Sequence, residues 1–167
     1  MMKFAVKFNG PIAVRYPRGE AYDGLEEYRA PIEYGKSEMI YREKEIALLA
    51  VGSMVQTAEQ VRDILKEKGY SCTLVNARFV KPIDEENIIE LCKEHKLLVT
   101  MEENVASGGY GEKVRAFVDE KELKAEVLTV AIPDEYVEHG NVDILKKEVG
   151  IDADTVVSKV LKTYAEL

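Results

Sequence analysis

Ile46-Ala47-Leu48-Leu49-Ala50-Val51 is an unbroken apolar run that ends at Gly52. A strand apolar on both faces must be covered on both faces, which points to a parallel sheet lying between two helical layers. The downstream sequence keeps to that plan. Val55, Ala58, Val61 and Leu65 recur at helical spacing, with Ser53 and Gln56 placed as a capping box and Gly69 as a C′ residue. Residues 72–77 read as the next strand. Pro82 and Asp84 then open a helix, with Asp84 as N-cap and Ile88, Ile89 and Cys92 on its inner face. Strand-type runs at 97–101 and 127–132 flank a helix carrying Val114, Phe117 and Val118. Pro133 stops the last run, and a final helix from about Asp152 turns Val156, Val157, Val160, Leu161 and Tyr164 inward. Residues 37–42 read as an edge strand, turned at Glu43 and Lys44. Strand and helix in alternation predict an α/β fold with right-handed crossovers and a mostly parallel sheet.

The first 36 residues lack this regularity. Met2, Ala5 and Val6 share a helical face until Asn9-Gly10-Pro11 breaks the pattern. Residues 11–16 read as a short β-type run stopped by Pro17. One helix end and one strand do not make a domain, so this stretch reads as the end of something larger. Residues 19–36 have no period; Gly19, Gly24, Pro31 and Gly35 punctuate them, with Tyr22, Tyr28 and Tyr34 between. They read as a linker whose amphipathic tyrosines pack on their neighbours.

Charge narrows the partners. The chain holds 23 Lys and Arg against 31 Asp and Glu, a formal net charge of −8. A general nucleic-acid binder needs a basic face, and no membrane partner is indicated, since no apolar run is long enough to span. The opening residues are too few and too charged for a secretory signal. Two cysteines without a CxxC make neither a disulfide framework nor a zinc site, and a cytoplasmic setting is expected. Residues 1–30 carry a net charge of +1 (Lys3, Lys7, Arg15, Arg18 and Arg29 against Glu20, Asp23, Glu26 and Glu27), so an anion-handling surface is expected there.

Each chemical candidate has a plain structural alternative. His95 falls at a helix C-terminus, where a cation suits the dipole, and His139 falls in a loop; neither has a nucleophile-elbow context. Cys72 in a strand and Cys92 on an apolar helix face read as buried structural thiols. Glu102 and Glu103 follow an apolar strand at its C-terminal end, where α/β proteins place their sites. They suit acid–base work or a metal, or else the capping of nearby amides. Gly108-Gly109-Tyr110-Gly111 before a helix suits a phosphate cradle or a tight strand-to-helix turn, but it is not GxGxxG and has no P-loop Lys-Ser pair. In Arg15-Tyr16-Pro17-Arg18-Gly19, Pro17 stiffens the backbone and presents Arg18 beside a glycine turn. That guanidinium suits a phosphate or carboxylate ligand, or a local pair with Glu20.

The string GPIAVRYPRG at residues 10–19 carries a resemblance, joined in order by LLAVGSMV (48–55), VNARFVKPID (75–84), VTMEENVASGGYG (99–111), IPDEYVEHG (132–140) and GID (150–152). Across almost the whole chain the sequence resembles the C-terminal part of the 1-deoxy-D-xylulose-5-phosphate synthases, thiamine-diphosphate enzymes of the transketolase family. Ordinary transketolases and pyruvate dehydrogenase β subunits share the domain but not the RYPRG string. The resemblance implies a three-layer α/β domain with a mostly parallel five-stranded sheet and one antiparallel edge strand. It implies a transferase that condenses pyruvate with D-glyceraldehyde 3-phosphate, releases CO2 and enters the methylerythritol phosphate route to isoprenoids. Arg18 matches the family arginine that contacts the substrate phosphate. Residues 1–18 then correspond to the end of the central pyrimidine-binding domain, 19–36 to a linker and 37–167 to the C-terminal domain.

No GDG-type diphosphate and Mg2+ motif is present, and nothing matches the segments that hold thiamine diphosphate or supply the catalytic groups. Thiamine diphosphate and Mg2+ are therefore expected in the full homodimeric enzyme and not on this chain alone. This chain is expected to be inactive by itself, with no catalytic residue of its own, supporting the dimer and supplying Arg18. Two other readings remain open. One is a stand-alone anion-binding or regulatory module using 108–111 or the Glu102-Glu103 pair. The other is the C-terminal subunit of a split transketolase-like enzyme.

Overall fold

A computed structural model describes residues 1–16 and 22–167. The elements run α1 (Met2–Lys7), β1 (Glu38–Tyr41), β2 (Glu45–Ala50), α2 (Met54–Glu67), β3 (Cys72–Asn76), α3 (Glu85–Glu94), β4 (His95–Val105), α4 (Tyr110–Glu120), β5 (Glu126–Ile132), α5 (Val142–Glu148) and α6 (Ala153–Tyr164). The five strands form one sheet in the order β1-β3-β2-β4-β5. The β2–β3, β2–β4 and β4–β5 pairs are parallel, and β1 pairs with β3 antiparallel. Among the described residues no helix is long and apolar enough to cross a membrane.

Strand alternation divides the core into two layers. Ile46, Leu48, Leu97, Val99 and Met101 face α2 and α6, which contribute Ala58, Val61, Leu65, Val156 and Val160. Ala47, Leu49, Val75 and Leu98 face α3 and α4, which contribute Ile88, Leu91, Val114 and Phe117. The central strands are buried on both sides because both layers are present.

Several ends form as the local sequence dictates. Asp84 caps α3 by accepting from the Asn87 N–H, and Asp152 caps α6 through the Thr155 N–H. At the end of α2, Gly69 has φ +89°, and the Gly69 and Tyr70 N–H groups donate to Lys66 O and Leu65 O. This is the paired 5→2 and 6→1 pattern that glycine at C′ permits.

Three expectations are corrected. Ser53 is the N-cap of α2 but makes no capping bond, because its hydroxyl is taken by the Glu103 carboxylate. Residues 11–16 form no strand; Pro11 offers no N–H, and the five-stranded ladder closes without them. In α1, Met2 and Val6 face solvent, and Phe4 and Phe8 provide the packing instead. Phe4 meets Phe79 edge-on at 5.8 Å, and Phe8 stacks on Tyr34 at 5.0 Å.

Candidate functional site

Strand order reverses at β2, where the chain goes first to β3 on one side and later to β4 on the other. The crevice beyond the carboxyl ends of such strands is where open α/β sheets place their ligands. Four side chains from distant parts of the chain meet at this end. Ser53 follows β2, Glu103 lies near the end of β4, Lys146 comes from α5, and Arg15 arrives from the N-terminal segment.

Glu103 is the hub. Its carboxylate accepts from Ser53 Oγ at 2.5 Å and pairs with Lys146 Nζ at 2.8 Å. Its backbone carbonyl accepts from Arg15 Nη2 at 2.7 Å. Burial pushes its acidity weaker, but the Lys146 and Ser53 hydrogen bonds and the Lys146 and Arg15 charges outweigh that and hold the carboxyl below its ordinary range.

Glu102 points the other way, as its neighbour on a strand must. It is buried at 2% exposure, and it accepts from the Tyr110 N–H at 2.9 Å and the Gly111 N–H at 2.8 Å. The paired carboxylates therefore do not form one acid–base or metal pair; each serves a different face. Glu102 supplies an anion to the first turn of α4, satisfying orphan amides and the helix dipole together. The glycines make room for this approach. A Cβ on Gly109 would lie 2.5 Å from Glu102 Oε1, and one on Gly111 would lie 2.5 Å from Thr100 Oγ1 and from Thr129 Cγ2. Two amides of the 108–111 turn thus already hold a carboxylate from within the chain.

The histidines take structural or solvent positions. His95 is buried as the C-cap of α3 and first residue of β4, with Nδ1 2.9 Å from Leu91 O and Nε2 2.7 Å from Thr73 Oγ1. His139 is exposed in the loop before α5. Cys72 and Cys92 are buried and unbridged. Burial pushes the Cys72 thiol up to about 12 and the Cys92 thiol up to about 11, away from nucleophilic use. Arg18 lies outside the described residues.

A second polar centre escaped sequence reasoning. Arg78, at φ +56°, forms a buried pair with Glu38 at 2.5 Å and donates to Ala30 O and Pro31 O. Glu38 in turn accepts from the Ala30 N–H at 2.8 Å. Together they tie residues 30–31 to the sheet edge and wall a cleft of about 580 Å3 between residues 27–31 and β1. Neither Arg78 nor Lys146 has a local sequence signal, because their partners lie far along the chain.

Among the described residues no three His, Cys, Asp or Glu side chains converge as metal donors. The α4 amides that would suit a phosphate face Glu102, an anion, so this donor set does not fit a Mg2+-diphosphate group.

Comparison with known proteins places this geometry. Residues 35–156 match the family described as Transketolase, C-terminal domain. The 1-deoxy-D-xylulose-5-phosphate synthase of Lachnoclostridium phytofermentans is 48% identical over 163 residues, covering 97% of this chain and 26% of that protein. The synthase of Alkaliphilus oremlandii is 36% identical over 168 residues, covering 100% of this chain and 27% of its own length. The chain thus spans about a quarter of the curated relatives it matches. A solved structure described as a split gene transketolase, inactive beta4 tetramer, superposes with a TM-score of 0.89 at 26% identity, over 98% of this chain and 53% of that one. A transketolase from Pichia stipitis shares the fold, with a TM-score of 0.59 at 14% identity over 78% of this chain and 18% of its own.

Proposed function

The chain belongs to the transketolase C-terminal domain family, and from that membership we propose that it is the C-terminal part of a 1-deoxy-D-xylulose-5-phosphate synthase. The observation that carries this reading is 48% identity running through 97% of the chain, including residues ahead of the domain itself. In this reading residues 1–18 end the pyrimidine-binding domain, 19–36 link, and 37–167 form the C-terminal domain of a cytoplasmic homodimer. The complete enzyme condenses pyruvate with D-glyceraldehyde 3-phosphate and releases CO2. Thiamine diphosphate and Mg2+ belong to the upstream part, and this chain contributes no step on the cofactor.

Its own contributions are two. The α/β body supports assembly, and Arg18 binds the substrate phosphate. The exposure of Met2 and Val6 on α1, at 63% and 85%, fits a helix that packs against upstream structure of the same enzyme. The reading as a separate anion-binding module loses its basis where Glu102 already occupies the 108–111 amides. The split-subunit reading keeps one support, since the split gene transketolase matches nearly the whole chain at a TM-score of 0.89.

Synthase turnover tests the proposal. This chain alone is expected to show none, and the chain joined to or co-purified with the upstream part of a relative is expected to restore it. In that assembled enzyme Arg18→Ala is expected to raise the KM for glyceraldehyde 3-phosphate by roughly 10–100-fold, the loss of one charge-assisted contact, with the KM for pyruvate little changed. Turnover from the isolated chain, or equal effects on both substrates, would contradict the reading.

A further inference from the structure

We infer that Arg15 is a positioning residue that latches the arginine-bearing segment onto the α/β body through the backbone carbonyl of Glu103. The inference deepens the proposed function, because it rests on the reading of Arg18 as the substrate-phosphate arginine.

Residues 11–16 have no regular structure to fix them. Arg15 donates from Nη2 to Glu103 O at 2.7 Å, joining positions 88 residues apart. The acceptor is available because the β4–β5 register jumps from Met101 opposite Val130 to Val105 opposite Ile132, passing over Glu103. It is also held firmly. Ser53 and Lys146 grip the Glu103 carboxylate from the β2–α2 turn and from α5, so three elements of the body fix the residue whose carbonyl Arg15 reads. The ionised carboxylate adds attraction for the guanidinium.

Covalent reach connects this latch to the proposed site. Three residues of chain can span at most about 11 Å, so fixing Arg15 confines where Arg18 can act. Positioning matters for catalysis, since a misplacement of about 1 Å can cost on the order of 100-fold in rate. The α/β body thereby acts on substrate binding without touching substrate.

The test uses the assembled enzyme with Arg15→Met, which keeps the apolar stem and removes the donors, beside Arg15→Lys and Arg18→Ala. Arg15→Met is expected to raise the KM for glyceraldehyde 3-phosphate about 3–10-fold with the KM for pyruvate unchanged, and Arg15→Lys to recover part of the loss. A second readout is independent of turnover. Amide exchange in residues 12–16 is expected to quicken in Arg15→Met and not in Arg18→Ala, with β2 and β4 unaffected. If Arg18→Ala separates the two Michaelis constants while Arg15→Met changes neither constant nor exchange, the latch is overturned and the phosphate role stands. If Arg18→Ala separates nothing, the phosphate role falls and the positioning inference falls with it, even where exchange shows a mechanical latch. A uniform change in both constants by Arg15→Met also overturns it, as a general structural defect.

Discussion

Leu48, Leu74, Leu97 and Met101 are completely buried in the α/β body, whereas α1 buries none of its residues. The body is closed by a sheet with helices on both faces. Among the described residues the N-terminal segment is attached by side-chain contacts: Phe4 on Phe79, Phe8 on Tyr34, and Arg15 on Glu103. The difference teaches where each part gets its stability. The body carries its own cores, so its fold follows from its own sequence. The segment borrows order from the body, and its exposed Met2 and Val6 leave an apolar face for the upstream partner proposed above.

The sharpest way to break this comparison is to damage each part at one ring or chain. Leu48→Ala is expected to destabilise the whole body by about 2–5 kcal/mol, since a buried leucine leaves both transfer loss and cavity. Phe8→Ala removes two aromatic pairs, with Phe4 and Tyr34, each worth about 0.5–1.5 kcal/mol and both outside the two cores, and should leave the denaturant slope unchanged. Urea titration of both variants checks the contrast; equal losses would mean the segment is part of one cooperative unit.

A smaller effect tests how the body closes around its switch point. Glu102→Ala leaves the Tyr110 and Gly111 amides without their acceptor, at an expected cost of about 1–3 kcal/mol, read as a lower Tm. If it leaves the Tm unchanged, the carboxylate is not what closes α4 onto β4.

The smallest effect is a pH dependence. The Glu103 carboxyl is held below its ordinary value in the folded state. Its contribution is therefore present above the unfolded-state pKa of about 4.3 and is lost as pH falls through the lower folded value. Lys146→Met is expected to flatten that acid limb, seen by comparing Tm at neutral and acid pH. An unchanged limb would remove Lys146 as the cause.

What was legible in the sequence was what neighbours decide. Asp84, Asp152 and Gly69 act within one helical turn, and their spacing announced them. The alternation of apolar runs gave the parallel sheet, and the antiparallel edge strand over Glu38–Tyr41 fell within residues 37–42. Most of what the sequence did not show depends on partners far along the chain. Ser53 was placed as a capping residue, and a carboxylate 50 residues away claimed its hydroxyl. The packing of α1 depends on Phe79 and Tyr34, which lie far downstream. Helix α5 buries nothing, so no apolar stripe marked it; its cap, Asn141 accepting from Asp143 and Ile144, was the available signal. Of the alternatives that the Glu102-Glu103 pair offered, the capping of nearby amides is what Glu102 does, while Glu103 faces the other layer because adjacent strand residues alternate.

Native-state hydrogen exchange on this chain tests the central claim, that a self-supporting body carries a dependent N-terminal segment. The account predicts slow exchange shared by β2, β3, β4 and α2, and fast exchange throughout α1. Equal protection in both parts, lost together on adding denaturant, would contradict it.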